Sequence, residues 1–206
     1  MVKKRNSKAK PKSFGGAIGI KNILESDTVN FFVGLTMLAL SLYIIIAMIS
    51  YLTTGQADQS LLESLSPTDF FNTNHEFSNR CKSLGAILAY YLITVNFGLP
   101  AFLIPVFSIL TSFKLMRTCN VNLLKWFFCL AFAMIWFSAF LSKFVSPFMG
   151  EEVYNPGGMH GLYCVGRIED VVGTPGIVAI FIVTGIAYLT YLSHETIEIV
   201  RKMLNP

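Results

Sequence analysis

Charged residues are scarce in this sequence, and their scarcity excludes a soluble domain. Only 14% of the 206 residues are Asp, Glu, Lys or Arg, and 53% are hydrophobic, whereas about a quarter of a typical soluble domain is charged. The apolar residues are gathered in long uncharged runs. Since about 20 apolar residues can cross a bilayer as one helix, the sequence predicts an all-α integral membrane protein.

Motifs for catalysis and for cofactor binding are also missing. The sequence has no G-x-x-x-x-G-K-[ST] phosphate loop, no H-E-x-x-H zinc motif and no G-x-S-x-G nucleophile motif. Its three histidines, His75, His160 and His194, are predicted to lie on two different sides of the membrane, so they cannot form one metal cluster. We therefore expect no enzymatic activity, no metal and no cofactor in this chain.

The interiors of the predicted spans contain no Asp, Glu, Lys, Arg or His. Transporters coupled to protons or ions place ionisable residues inside the bilayer despite the cost of burying them. Their absence argues against that class of protein. The polar residues that remain in the apolar runs, such as Ser41, Ser108 and Asn96, are interpreted as hydrogen-bonding groups between helices.

Four apolar runs are predicted to cross the membrane. The first, 30–52, would be about 35 Å long as a helix, which exceeds a hydrocarbon core of about 30 Å. The predicted organisation is a basic cytoplasmic tail and interfacial segment at 1–29, a four-span domain at 30–193 with spans at 30–52, 100–116, 123–145 and 175–192 and outer loops at 53–83 and 146–172, and the start of a cytoplasmic linker at 194–206.

An amphipathic segment and a Gly-x-Pro break come before the last span. The segment is predicted to be an interfacial half-helix on the membrane surface, and the break a structural hinge. The half-helix residues are Gly161, Leu162, Val165 and Ile168, and the hinge residues are Gly173 and Pro175.

A similar plan occurs earlier in the chain. Gly85 precedes the break Gly98-Leu99-Pro100 by thirteen residues, as Gly161 precedes Gly173 by twelve. The run 84–113 is either one tilted, kinked helix or a re-entrant half-helix at 84–97 followed by a span, and the later copy favours the second. The expected fold therefore has four transmembrane helices and two extracytoplasmic half-helices, arranged as a parallel two-fold repeat.

The distribution of charge predicts the orientation. The tail and the loop around residue 120 hold ten basic residues and two acids, whereas the other two loops hold four basic residues and eight acids. Because cytoplasmic loops are enriched in Lys and Arg, both termini are expected in the cytoplasm.

Two of the four cysteines, Cys81 and Cys164, are then expected on the extracytoplasmic side. An oxidising compartment permits a disulfide between them, although the sequence does not give their separation. The other interpretation is that both are small apolar residues that pack without pairing.

Short motifs along the chain resemble the N-terminal four-span membrane domain of the FtsK/SpoIIIE family of bacterial DNA translocases. The resemblance covers about residues 25–195, and its strength lies in the order and spacing of the motifs. They are SYL with GQADQS within 50–60, LGA, FG and LIP within 84–105, and GGMHG followed by GTPG within 157–176.

This resemblance implies a multi-pass protein of the bacterial inner membrane, enriched at the division septum. It implies that the domain anchors an ATP-driven motor that moves double-stranded DNA and couples chromosome segregation to cell division. The motor would lie beyond residue 206, so ATP and DNA would be bound only in the full-length protein. The expected partners of the chain itself are the lipid bilayer, other copies of the chain and septal division proteins.

One alternative function belongs to a different class. The Gly-x-Pro breaks could expose backbone groups to a substrate, as discontinuous helices do in a pore or transporter subunit. That interpretation requires the breaks to face a cavity at mid-depth in the bilayer.

Overall fold

The computed structural model describes residues 26–64, 76–149 and 154–192 of the chain. All regular structure in these ranges is helical, which confirms the predicted all-α class. The predicted tail, the linker and parts of both outer loops lie outside the described residues. The described residues form five α-helices: α1 (Asp27–Ser64), α2 (Lys82–Tyr90), α3 (Leu103–Leu115), α4 (Leu123–Phe140) and α5 (Gly158–Leu192).

Four short helical segments in the described ranges extend or join these helices. The π-helix Tyr91–Phe97 continues α2, and the 3-10 helix Leu99–Phe102 leads into α3. The π-helix Leu141–Val145 continues α4 and is followed by the 3-10 helix Ser146–Phe148.

Among the described residues, three helices are long and apolar enough to cross a membrane: Asp27–Asp58, Leu123–Phe148 and Gly158–Leu192. The fourth apolar segment, Leu99–Leu115, is shorter. With about 1.5 Å per residue in its α-helical part and about 2 Å in its 3-10 part, it would be about 27 Å long. Large hydrophobic side chains are exposed along the long helices, with Phe32 61% and Leu124 67% exposed. Such exposure of apolar residues suits contact with lipid.

Helix α1 is longer than the predicted span of 30–52, because its amphipathic pattern continues into the predicted polar loop. Gly55, Asp58 and Leu62 are buried at helical spacing. Leu62 joins Phe77 and Ala86 in a small hydrophobic cluster under α2. The first part of the outer loop is therefore three further turns of helix, and burial on one face is what stabilises them.

Helix α3 returns antiparallel to α1 through close polar contacts. Ser41 Oγ donates to Ser108 Oγ at 2.7 Å, and Ser112 Oγ donates to the Gly34 carbonyl at 2.7 Å. Because Gly34 has no side chain, the helices approach closely. A Cβ there would lie 2.9 Å from the Ser112 carbonyl oxygen. Asp27 and Arg117 form an exposed ion pair at the far end of this helix pair.

We expect Ser112→Ala to lower the free energy of unfolding in detergent micelles by about 1 kcal/mol, since it removes a buried hydrogen bond between helices. Thr111→Val is the matched control, because the Thr111 hydroxyl bonds within its own helix, to the Phe107 carbonyl. Titration with a denaturing detergent measures both variants. Equal losses for the two would show that the bond between α1 and α3 contributes nothing specific.

A polar clasp ties the outer part of α1 to the segment that leads into α2. Asn79 Nδ2 donates to the Ala47 carbonyl at 2.9 Å, and Asn79 Oδ1 accepts from the Cys81 amide at 2.9 Å. Asp58 accepts from the Ser78 amide at 2.7 Å. Asn79 and Asp58 are each only 1% exposed, so these are buried polar groups with their partners in place.

Two further hydrophobic clusters hold the helices together. The first surrounds the break between α2 and α3 and contains Met48, Tyr51, Ala89, Ile93 and Ala101. The second joins both parts of α5 to α4: Val165, Ile177 and Phe181 are buried against Trp136, Ala139, Phe140 and Phe144. Of these three clusters, two thus lie in the first half of the chain and one in the second.

Candidate functional site

Both predicted hinge glycines lie at real breaks in the helices. Gly98 has φ 71° and ψ −144°, and Gly173 has φ 70° and ψ 173°. These left-handed φ values are readily adopted by glycine alone. Pro100 lies at the start of the 3-10 helix after the first break, and Pro175 follows the second. Pro100 is buried and Pro175 is exposed.

The run 84–113 is therefore interrupted rather than continuous. Besides Gly98, Asn96 departs from helical geometry, with φ −104° and ψ −107°. Of the two alternatives left open by the sequence, the structure has a separate helical segment over 82–97, followed by a break and a second helix.

The two breaks have very different surroundings. A Cβ on Gly98 would overlap the Pro156 carbonyl oxygen, and a Cβ on Gly158 would overlap the Asn96 carbonyl oxygen. The Leu99 amide also donates to the Pro156 carbonyl at 2.8 Å. By contrast, the nearest atom to a Cβ on Gly173 would be Pro175 Cδ, at 3.7 Å. The first break is packed backbone against backbone, and the second is open.

We call the contact of Gly98 with the start of α5 the glycine seam; its residues are Gly98, Gly157, Gly158 and Gly161. On its other side the seam meets α4. A Cβ on Gly157 or on Gly161 would overlap the Ser138 carbonyl oxygen and Ser142 Oγ. Four glycines thus allow three backbone segments to come together at one point, where any side chain would keep them apart.

Buried hydroxyl groups fix the seam in place. Ser138, which is fully buried, donates to the Gly157 carbonyl at 2.6 Å. Ser142 donates to Asn155 Oδ1 at 2.8 Å, and the same oxygen accepts from the Gly157 amide at 2.9 Å. Each polar group that this close packing removes from solvent therefore has a partner, as buried polar groups require.

His160 lies beside the seam and contacts both halves of the chain. Its ring centroid is 4.7 Å from that of Phe97, its Nδ1 is 3.3 Å from Ser138 Oγ, and its Nε2 is 3.5 Å from Cys164 Sγ. Because the Ser138 hydroxyl already donates to a carbonyl, it is not activated as a nucleophile. His160 and its three neighbours therefore contribute to packing around the seam.

The predicted half-helix residues are not equally buried. Gly161 and Val165 are buried, whereas Leu162 is 47% and Ile168 is 37% exposed. The half-helix begins at Gly158, three residues earlier than Gly161. It packs on α4 through its glycines and Val165, and turns other apolar side chains outward.

Cys81 and Cys164 are both free thiols in this structure, with different neighbours. Cys81 Sγ is 3.9 Å from the Tyr43 carbonyl oxygen on α1, and Cys164 contacts His160. The possible disulfide between these two cysteines stays a prediction.

The structure adds residues that the sequence did not single out. Ser142 and Asn155 hold the seam together with Ser138, which the sequence already offers as a hydrogen-bonding group between helices. Hydroxyl and amide side chains are common within and between apolar runs. The Asn-Pro-Gly-Gly run at 155–158 predicts a turn, but a local turn motif does not predict which distant segment the turn will contact.

The side chains of the described residues mainly make packing contacts and structural hydrogen bonds. No cluster of three or more His, Cys, Asp or Glu occurs among the described residues. The grooves between α4 and α5 are lined by apolar and aromatic side chains, such as Phe132, Trp136, Phe140 and Tyr188. Neither a nucleophile with a base nor a set of metal ligands is assembled there.

A comparison with models of known protein families identifies the family of this chain. A family model described as the 4TM region of DNA translocase FtsK/SpoIIIE matches residues 28–204. The chain belongs to this family. The resemblance seen in the sequence is thereby confirmed, and the chain is a membrane domain of the FtsK/SpoIIIE type, a region separate from the ATPase motor. No curated protein and no solved structure matches the chain.

Proposed function

We propose that this FtsK/SpoIIIE membrane domain is a four-span anchor and septal interaction module of a DNA translocase that couples chromosome segregation to cell division. The observation that carries the proposal is the glycine seam. It joins the two halves of the domain through backbone contacts and leaves no space for a substrate at the first break. Such a site suits a rigid anchor.

The proposed spans follow from the contacts along α1. Twenty residues, from Asp27 to Ala47, cover about 30 Å, the thickness of a hydrocarbon core. Arg117 pairs with Asp27 at one limit, and Asn79 bonds to Ala47 at the other. In this arrangement the first and second spans are α1 and 99–115, the third is α4, and the fourth is the part of α5 after Gly173. The remainder of α1 projects beyond the outer surface.

We also propose a parallel two-fold repeat, because the two halves of the chain share the same order of helices and breaks. In each half a long helix is followed by a shorter one, a glycine with φ near 70°, and an antiparallel helix. In each half the shorter helix packs through a glycine. A Cβ on Gly85 would lie 3.2 Å from Ala47 Cβ, and Gly161 contacts Ser138. The two shorter helices would lie at the extracytoplasmic interface, with both termini in the cytoplasm.

The alternative of a pore or transporter subunit lacks a supporting observation. That function needs the broken helix to present backbone groups to a cavity. At Gly98 those groups meet Pro156 and Gly158 instead. The proposed partners are therefore the bilayer, other copies of the chain and septal division proteins of the inner membrane. Double-stranded DNA would be contacted through the motor of the full-length protein.

A fluorescent fusion of residues 1–206 in dividing bacteria tests septal recruitment. We expect a band of fluorescence at the division site. A Gly166→Ala fusion should behave identically, because a Cβ on Gly166 would meet nothing within 4 Å. Even fluorescence around the whole cell outline, with the protein intact in the membrane fraction, would refute septal recruitment by this domain.

A further inference from the structure

The break at Gly173 combines two features. Few atoms surround the glycine, and hydrogen bonds of a nearby carboxylate connect the segments on its two sides. Both arms pack on α4 through Val165, Ile177 and Phe181, but packing at the glycine itself does not fix its angle, since a Cβ on Gly173 would have its nearest neighbour at 3.7 Å, on Pro175. We call the part of α5 before Gly173 its outer arm, 158–172, and the part after it its inner arm, 174–192. Something other than packing at the glycine must hold the two arms at their angle.

Glu169 supplies that bridge. Its carboxylate accepts from Lys143 Nζ with both oxygens at 2.6 Å, and its Oε1 also accepts from Thr174 Oγ1 at 2.6 Å. Lys143 belongs to the π-helical end of α4, Glu169 to the outer arm, and Thr174 to the inner arm. One carboxylate thus connects the three segments that meet at the break.

The two arms are held to the rest of the molecule in different ways. The outer arm is fixed at its start by the glycine seam, where it contacts both α4 and the segment before Gly98. The contacts of the inner arm are with α4. Trp136 Nε1 donates to Thr184 Oγ1 at 2.9 Å, and Tyr188 OH donates to the Cys129 carbonyl at 3.0 Å. The seam therefore acts as the fixed point, and the inner arm is the element that can change its tilt.

We propose that Gly173 is a movable joint in this membrane domain and that the Lys143–Glu169–Thr174 bridge is a latch that holds the joint in one position. With the latch closed, the inner arm has a single angle to the outer arm. With the latch open, the left-handed glycine and the empty space around it allow the inner arm to tilt against α4. The joint at Gly98 has no such freedom, because the seam fills it.

The latch joins partly sheltered side chains. The Lys143 and Glu169 side chains are only 21% and 29% exposed, so water screens the pair less than it screens a fully exposed one such as Asp27 and Arg117. Both carboxylate oxygens contact the ammonium, and the Thr174 hydroxyl holds the carboxylate from the other side. A second feature supports the present angle. A Cβ on Gly176 would lie 2.6 Å from Val172 Cβ, so a glycine is required there for the arms to come this close.

Distance measurement between spin labels on the two arms tests the latch. Labels at Gly166→Cys on the outer arm and Val183→Cys on the inner arm lie at sites with space, in a background with all four native cysteines replaced by serine. In the full domain, reconstituted in lipid, we expect one narrow distance population. Lys143→Met and Glu169→Gln should each add a second population, and Gly176→Ala should shift the distance by forcing Val172 away.

Two controls separate an open latch from a disrupted fold. A label pair that does not cross the joint, Phe128→Cys on α4 with Gly166→Cys on the outer arm, should keep one unchanged distance population in every variant, because the seam holds the outer arm on α4. The charge-swapped double variant Lys143→Glu with Glu169→Lys should restore the single population across the joint. An unchanged distance distribution in Lys143→Met and Glu169→Gln would overturn the proposal. So would a failure of the charge swap to restore it in a protein that remains folded.

Discussion

Gly98→Ala is expected to lower the free energy of unfolding by about 2–5 kcal/mol, the largest effect of any single substitution considered. Two penalties add at this position. A residue with a Cβ at φ 71° costs about 1–2 kcal/mol, and the overlap with the Pro156 carbonyl adds about 1–3 kcal/mol. The overlapping atoms are backbone, and the Leu99 to Pro156 hydrogen bond would have to lengthen for them to separate. The sum is a large part of a total stability of about 5–15 kcal/mol.

A series of glycine substitutions isolates the seam from general glycine effects. Gly173→Ala meets the same left-handed φ without the overlap, so it should lose about 1–2 kcal/mol. Gly166→Ala has open space, and alanine is the better helix former, so it should be neutral or slightly stabilising. Thermal unfolding in detergent, followed by circular dichroism, gives the order. If Gly98→Ala destabilised the domain no more than Gly173→Ala, the close packing at the seam would contribute nothing to its stability.

The second large effect is expected at the polar clasp, from Asn79→Ala. The substitution removes a buried donor to the Ala47 carbonyl and leaves the Cys81 amide without its acceptor. Leaving buried groups unsatisfied costs about 1–3 kcal/mol. Because the clasp fixes the start of α2 on α1, its loss should also expose the segment 76–81 to added protease.

Asn120→Ala is the matched control for the clasp, since Asn120 is exposed in the connection between α3 and α4. It should change neither the unfolding midpoint nor the rate of cleavage at 76–81. An Asn79→Ala variant with the stability and protease resistance of Asn120→Ala would show that α2 is held on α1 by apolar packing alone.

The positions of the breaks could be predicted from the sequence because they depend on local chemistry. Gly98 and Gly173 interrupt apolar runs next to a proline, and both adopt the backbone geometry that glycine permits. The extent of α1 could not be predicted in the same way. Asp58 and Glu63 signal a polar loop, whereas the structure buries Asp58 in a helix where a backbone amide satisfies its carboxylate.

Long-range contacts account for the rest of the difference. The sequence places Gly157 and Gly158 in a turn, but only the fold brings them to Gly98, some sixty residues earlier. Lys143 and Glu169 are likewise read as ordinary charges of an outer loop until the fold of α5 against α4 pairs them. Such contacts depend on how helices cross, and crossing geometry is fixed by packing rather than by local spacing.

Accessibility of single cysteines in spheroplasts tests the proposed four-span anchor most directly. Native Cys119, exposed in the connection between α3 and α4, reports on one side, with Cys81, Cys129 and Cys164 replaced by serine. Ser60→Cys and Phe148→Cys report on the other side in a background without native cysteines, and Phe148 is 89% exposed. The account predicts that a membrane-impermeant maleimide labels positions 60 and 148 in intact spheroplasts and labels Cys119 only after permeabilisation. Labelling of Cys119 from outside, or protection of both outer positions, would contradict it.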